Sequence, residues 1–119
     1  MLANDFYALL NTFIGTTQYY RHWSGLKLTD GVKFLADATN CYWLLDVIAS
    51  YQKEALNDRC LREIQFWELR VSHDGSATVV CRRDLDDVAF EQKIPVTDFP
   101  LQYVKLYVEN GVILLPSEH

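Results

Sequence analysis

The sequence has no concentrated run of basic residues. Its 119 residues carry 11 Lys and Arg against 16 Asp and Glu, a net charge of −5, and its only adjacent basic pair is Arg82 and Arg83. A phosphate backbone is bound through a concentrated basic stripe, so direct nucleic-acid binding is disfavoured. Cysteine is also scarce. Cys41, Cys60 and Cys81 are odd in number and none belongs to a C-x-x-C pair, which argues against a disulfide framework and against a zinc site. This usage suits a reducing, cytoplasmic setting. The five glycines, Gly15, Gly25, Gly31, Gly75 and Gly111, lie too far apart to form a phosphate-cradling loop. The longest apolar-rich stretch, 41–49, is interrupted by Asp46 and is far too short to span a bilayer. The first residues lack the basic segment and apolar run of a secretory signal. Neither H-E-x-x-H nor G-x-S-x-G occurs, so no catalytic residue, cofactor or metal set is expected.

Aromatic residues, by contrast, are plentiful, with three Trp, seven Tyr and six Phe, and each can bury a large area in a small core. The hydrophobic pattern changes period part-way along the chain. Phe6, Leu9, Leu10 and Phe13 recur at helical spacing, which predicts a helix over 2–13 with Asn4 or Asp5 as its cap. Residues 16–28 have no clean period and read as a loop with a short extended piece. Thr29 or Asp30 offers a cap for a helix over 31–38, and Asn40 marks its break. Cys41, Leu44, Leu45, Ile48 and Ala55 form the apolar stripe of a helix over 41–55, with Asp46 on the polar stripe opposite.

After Cys60 the pattern alternates. Strands are expected over 64–71, 77–83, 88–94, 103–108 and 112–115, with Val88, Phe90 and Ile94 facing the core in the third. Asp74-Gly75 and Asn110-Gly111 are strong hairpin signals, and short turns imply antiparallel neighbours. The expected fold is a single α+β domain of two layers, in which N-terminal helices (1–60) pack on a C-terminal antiparallel sheet of about five strands (61–119). Most of the acidic excess falls in the second half, which has six basic and ten acidic residues.

One segment carries more chemistry than its structure requires. Tyr19, Tyr20, Arg21, His22 and Trp23 place a histidine and an arginine among polar-tipped aromatics, a set that could line a site for an anion, a base or a sugar ring. In the plain reading the rings cover the helices and Arg21 and His22 edge them. His73 and the acidic turn Asp84, Asp86 and Asp87 are accounted for by turn chemistry. Asp46 belongs to a solvated helix face, and Cys60 has no histidine near it in sequence.

The segments 15–23, with Gly15-Thr16-Thr17-Gln18-Tyr19-Tyr20-Arg21-His22-Trp23, 28–36, 42–50 and 106–118 together resemble a family of small bacterial proteins, a domain of unknown function often met near phage and plasmid genes. The resemblance implies a mobile-element setting, in which small acidic proteins bind and block host proteins, and it transfers no catalytic residue. The expected function is a non-enzymatic protein-interaction module, an accessory of a mobile element or an inhibitor of a host defence complex. Its partner would be a host or mobile-element protein, and the edge strand 112–115 would offer a route to a homo-oligomer. The alternative is a small-molecule-binding protein or enzyme with a pocket around Tyr19–Trp23.

Overall fold

The computed structural model describes residues 3–119. Among these, five helices and a seven-stranded sheet form the layered α+β arrangement. Helix α1 (Ala3–Leu10) is shorter than expected. Asn4 and Asp5 lie inside it and so cannot be its cap, and Leu2 lies outside the described residues. Helix α2 (Asp30–Thr39) begins at Thr29, whose hydroxyl accepts the Val32 N–H, and ends at Asn40 in the left-handed conformation (φ 56°). Its buried face is Gly31, Val32, Leu35 and Ala36.

The single helix expected over 41–55 is two, α3 (Tyr42–Ser50) and α4 (Gln52–Ala55), divided at Tyr51. Cys41, Leu44, Leu45, Ile48 and Ala55 are nevertheless all buried, as the apolar stripe requires. A short helix α5 (Arg59–Glu63) was not expected. Asp58 caps it by accepting the N–H groups of Cys60 and Leu61.

The strands are β1 (Tyr20–Arg21), β2 (Lys27–Leu28), β3 (Gln65–Val71), β4 (Ala77–Arg82), β5 (Val88–Ile94), β6 (Tyr103–Glu109) and β7 (Val112–Leu114). Their spatial order is β1-β2-β7-β6-β3-β4-β5. The two extra strands come from the irregular stretch 16–28, which forms a small hairpin and pairs through β2, in parallel, with β7. This corrects the expected edge: β7 is flanked on both sides, and the sheet ends instead at β1 and β5. Residues 112–114 therefore do not form a free edge. The Asn110-Gly111 turn has positive φ at both residues, 54° and 74°, as a two-residue hairpin of this twist demands.

The registers define two faces. Trp67, Leu69, Val79, Cys81, Leu106, Val108 and Ile113 point inward and share one cluster with Leu35, Leu44, Leu45, Ile48 and Leu61. Burial of this kind contributes about 25 cal/mol per Å² of apolar surface and drives the two layers together. Val88 departs from the expected inward pattern. The register slips between Cys81 and Arg82, so that Phe90 faces buried Cys81 while Val88 faces Arg82 and lies 43% exposed. An extra residue in one strand turns the next side chain to the other face. One buried polar group is fully satisfied: the Gln65 amide exchanges hydrogen bonds with Gln52 (2.8 and 2.9 Å) and accepts the Trp67 indole N–H (2.8 Å). No helix among the described residues is long and apolar enough to cross a membrane.

Candidate functional site

The β1–β2 hairpin carries the candidate residues Tyr20, Arg21, His22 and Trp23. His22 N–H donates to the Leu26 carbonyl (2.8 Å) and Gly25 N–H to the His22 carbonyl (3.0 Å), closing a tight loop in which Gly25 adopts φ 97°. The loop is held at the sheet edge because Lys27 N–H donates to Gly111 and Thr29 N–H to Ile113 across the parallel pair. On the other side, Asp30 accepts the Thr17 N–H (2.8 Å) and hydroxyl (3.0 Å), anchoring the approach to β1 at the start of α2. The Thr17 backbone N–H, chiefly, holds the Asp30 carboxyl below its ordinary value.

Within the loop the plain reading of the aromatic segment is reversed. His22 is the buried member, 5% exposed, and Trp23 stands out at 77%. Both ring nitrogens of His22 are engaged. Nδ1 accepts the Ser24 N–H (3.2 Å) and lies 2.7 Å from the Ser24 hydroxyl, while Nε2 lies 2.9 Å from Asp46 Oδ1. An N–H aimed at Nδ1 makes that nitrogen the acceptor, which leaves Nε2–H to donate to Asp46. The same Asp46 oxygen accepts the Trp23 indole N–H at 2.8 Å. The His22 and Trp23 rings lie 5.2 Å apart, centre to centre.

Ser24, His22 and Asp46 match a nucleophilic triad by residue type, but the surrounding amides do not suit acyl transfer. The N–H groups of Ser24, Gly25 and Leu26 are directed to His22 Nδ1, the His22 carbonyl and the Ser24 hydroxyl respectively. None of these three is left to stabilise a developing oxyanion, which such a site needs. What the arrangement does is brace: a buried imidazole and a helix carboxylate hold an exposed indole in one orientation.

Tyr20, Arg21, His22 and Trp23 line one open cleft of about 320 Å³, together with Leu28, Lys33, Tyr42 and Asp46. Tyr19, 57% exposed, lines a separate and more polar groove with Thr29, Glu109 and Glu118, so it is not brought together with the other four. Lys33 and Tyr42 of this lining belong to a second polar cluster. Lys33 Nζ donates to Asp37 (2.9 Å) and to the Tyr42 hydroxyl (2.9 Å), Tyr42 donates to Asp37, and Lys33 Nζ lies 5.8 Å from the centre of the Tyr20 ring. The Tyr42 hydrogen bond, followed by that of Lys33, lowers the Asp37 carboxyl, while burial and the neighbouring carboxylate raise the Tyr42 phenol. Arg21 is exposed and makes no ion pair among the described residues.

Sequence reasoning missed Asp46. Its assignment to the polar stripe of α3 was sound, but that face is where the 22–24 loop settles. No spacing in the chain relates residues 22 and 46. Cys60 is exposed, and Cys41 and Cys81 are buried free thiols. Among the described residues no cluster of His, Cys, Asp and Glu could hold a metal ion.

Residues 5–119 match the model of a family described as a family of unknown function (DUF6876). The chain belongs to this family. Because the match runs from α1 to the last residue, the hairpin, Asp46 and the cleft all fall inside it. Comparison with curated proteins and with solved structures gives no match.

Proposed function

We propose that this DUF6876 protein is a non-enzymatic protein-interaction module that engages its partner through Trp23 and the cleft beside it. The observation that carries the reading is an indole 77% exposed yet held by a 2.8 Å hydrogen bond to Asp46. Binding energy concentrates in a few aromatic and arginine anchors. An anchor already fixed in place loses less conformational entropy on binding, roughly 0.5–1.5 kcal/mol per side chain. Unpaired Arg21 lines the same cleft and adds a charged contact. The engagement of both His22 nitrogens favours positioning over proton transfer. On the resemblance to proteins met near phage and plasmid genes, the partner is a host or mobile-element protein, met in the cytoplasm, and the module serves as an accessory or as an inhibitor of a host defence complex.

A second reading rests on the lining of the cleft. Tyr20 and Tyr42 walls beside Lys33 and Arg21 suit a small aromatic anion, with Trp23 as a stacking surface. One experiment separates the two. Immobilised wild-type protein should retain a host protein at physiological salt, Trp23→Ala should lose it, and the thermal midpoint of the variant should stay close to wild type. Retention of no protein at either low or physiological salt refutes the interaction reading. A small molecule co-purifying with wild type but not with Trp23→Ala would establish the second.

A further inference from the structure

The outer face of the sheet carries a second surface, unrelated to the Trp23 cleft. The registers set its side chains in rows: Tyr107, Phe66, Arg82 and Val88; then Lys105, Glu68, Val80 and Glu91; then Tyr103, Arg70, Thr78 and Lys93. The acidic excess of the sheet half is therefore not on the sheet. On this face Arg70, Arg82, Lys93 and Lys105 stand against Glu68, Glu91 and Glu109, while Asp74, Asp84, Asp86, Asp87 and Asp98 lie in the connections.

At the centre, Glu68 is 8% exposed and accepts from Arg70 Nε (3.1 Å) and Arg82 Nε (3.3 Å). Beside it opens a mainly apolar pocket of about 220 Å³, walled by Phe66 and Tyr107 and edged by Arg82 and Lys105 but also by Glu68 and Asp84. Tyr107 meets Phe66 edge to face at 5.1 Å and His119 at 5.6 Å, so this wall is fixed. Lys105 is exposed and makes no ion pair among the described residues.

On the rim of the same pocket stands its complement. Leu85, 85% exposed, is flanked by Asp84, Asp86 and Asp87 at the tip between β4 and β5. This tip is braced. Arg83 N–H donates to the Asp87 carbonyl (2.8 Å), Arg83 Nη1 to the Asp87 carboxylate (2.9 Å), Asp86 N–H to Asp84 (3.0 Å) and Arg82 Nη1 to the Leu85 carbonyl (3.3 Å). A leucine is thus held in water between carboxylates, next to an apolar pocket on whose edge Lys105 is an exposed cation. Val88, 43% exposed in the adjoining row, extends the apolar area.

We propose that this face is a self-association surface. A second copy of the chain seats its Leu85 against Phe66 and Tyr107 and sets its acidic tip against Lys105, and the first copy does the same in return. Charge complementarity argues for this occupant: Glu68 is already matched by Arg70 and Arg82, which leaves Lys105 to meet the acidic, leucine-tipped segment that the chain itself carries. Tip and pocket are adjacent, so one two-fold axis satisfies both contacts at once, the self-complementary condition for a closed dimer. The paired patch is small, which makes the dimer weak and salt-sensitive.

Sedimentation equilibrium over a concentration series tests this. Wild type should pass from monomer to dimer as concentration rises, and Leu85→Asp should weaken the dimer by about tenfold or more, since it removes the buried anchor and adds a charge. Leu85 is exposed, so the variant keeps its fold and its thermal midpoint. Asp86→Lys and Lys105→Glu should each be monomeric alone and form a mixed dimer when combined, because each then meets a complementary surface. Trp23→Ala should leave the dimer intact, which separates this surface from the cleft. A wild type that stays monomeric up to about 1 mM, a dimer indifferent to Leu85→Asp, or a charge-swapped pair that fails to associate overturns the proposal.

Discussion

Replacing Asp46 by alanine tests the bracing of Trp23 directly. One oxygen of Asp46 accepts two donors, His22 Nε2–H at 2.9 Å and the Trp23 indole at 2.8 Å. The His22 side chain is 4% exposed and that of Asp46 50%, so the two ends of the bond differ in access to water. A hydrogen bond to a charged group contributes about 1.5–3 kcal/mol. Solvent around the half-exposed carboxylate reduces that, and water can enter the space that alanine leaves, so we expect a loss of about 1–2 kcal/mol. In a domain of this size the thermal midpoint should then fall by about 3–8 °C. Asp46→Asn keeps an acceptor and should lose less than about 1 kcal/mol.

The freed indole provides the second readout. Hydrogen exchange at the Trp23 indole N–H, followed by NMR, should accelerate by about tenfold for each 1.4 kcal/mol of lost restraint. Partner affinity should weaken by about 2- to 10-fold as the ring regains its rotamers. A variant that melts within about 1 °C of wild type, with unchanged indole exchange, would refute the claim that Asp46 holds the ring.

Two further outcomes follow from thiols and carboxylates. Burial raises the Cys41 thiol and pushes Cys81 up to about 12, while Cys60 is exposed, so a thiol reagent should modify Cys60 alone in the native protein and all three cysteines after unfolding. The Arg83 hydrogen bond holds the Asp58 carboxyl below its ordinary value of 3.8, and the Thr17 backbone N–H does the same for Asp30. The unfolded chain therefore binds more protons as pH drops through 3.8, and stability present above that value is lost toward the lower folded value. Urea midpoints measured from about pH 6 to about pH 3 should fall on the acid side, and less steeply in Asp58→Asn, which keeps a helix cap but not the charge pair with Arg83.

Much of the architecture was legible in the chain because it is written at short range. The period-3.6 stripe from Cys41 to Ala55 buries Cys41, Leu44, Leu45, Ile48 and Ala55. The alternation after Cys60, the Asp74-Gly75 and Asn110-Gly111 turns and the break at Asn40 each sit where local backbone preference puts them. The exceptions arise where a distant partner decides. Val88 faces out because of a slip against β4, Tyr51 divides one helix where its hydroxyl reaches Gln92 on β5, and α5 depends on the Asp58 cap that Arg83 also holds.

The sequence by itself determined the main helical and strand periods, and it marked the aromatic segment 19–23 as the stretch richest in polar-tipped aromatics. Only the tertiary structure decided which of those five residues line one cleft. It buried His22, exposed Trp23, sent Tyr19 to another groove and brought Asp46 across 23 positions to the indole. It likewise made β7 an interior strand by pairing it with a two-residue strand from the helical half, and moved the acidic excess off the sheet face into the turns. The reason is one of range. Helix and strand periods follow from backbone geometry between near neighbours, whereas a site, a sheet edge and a charged face depend on contacts between residues that no periodicity relates.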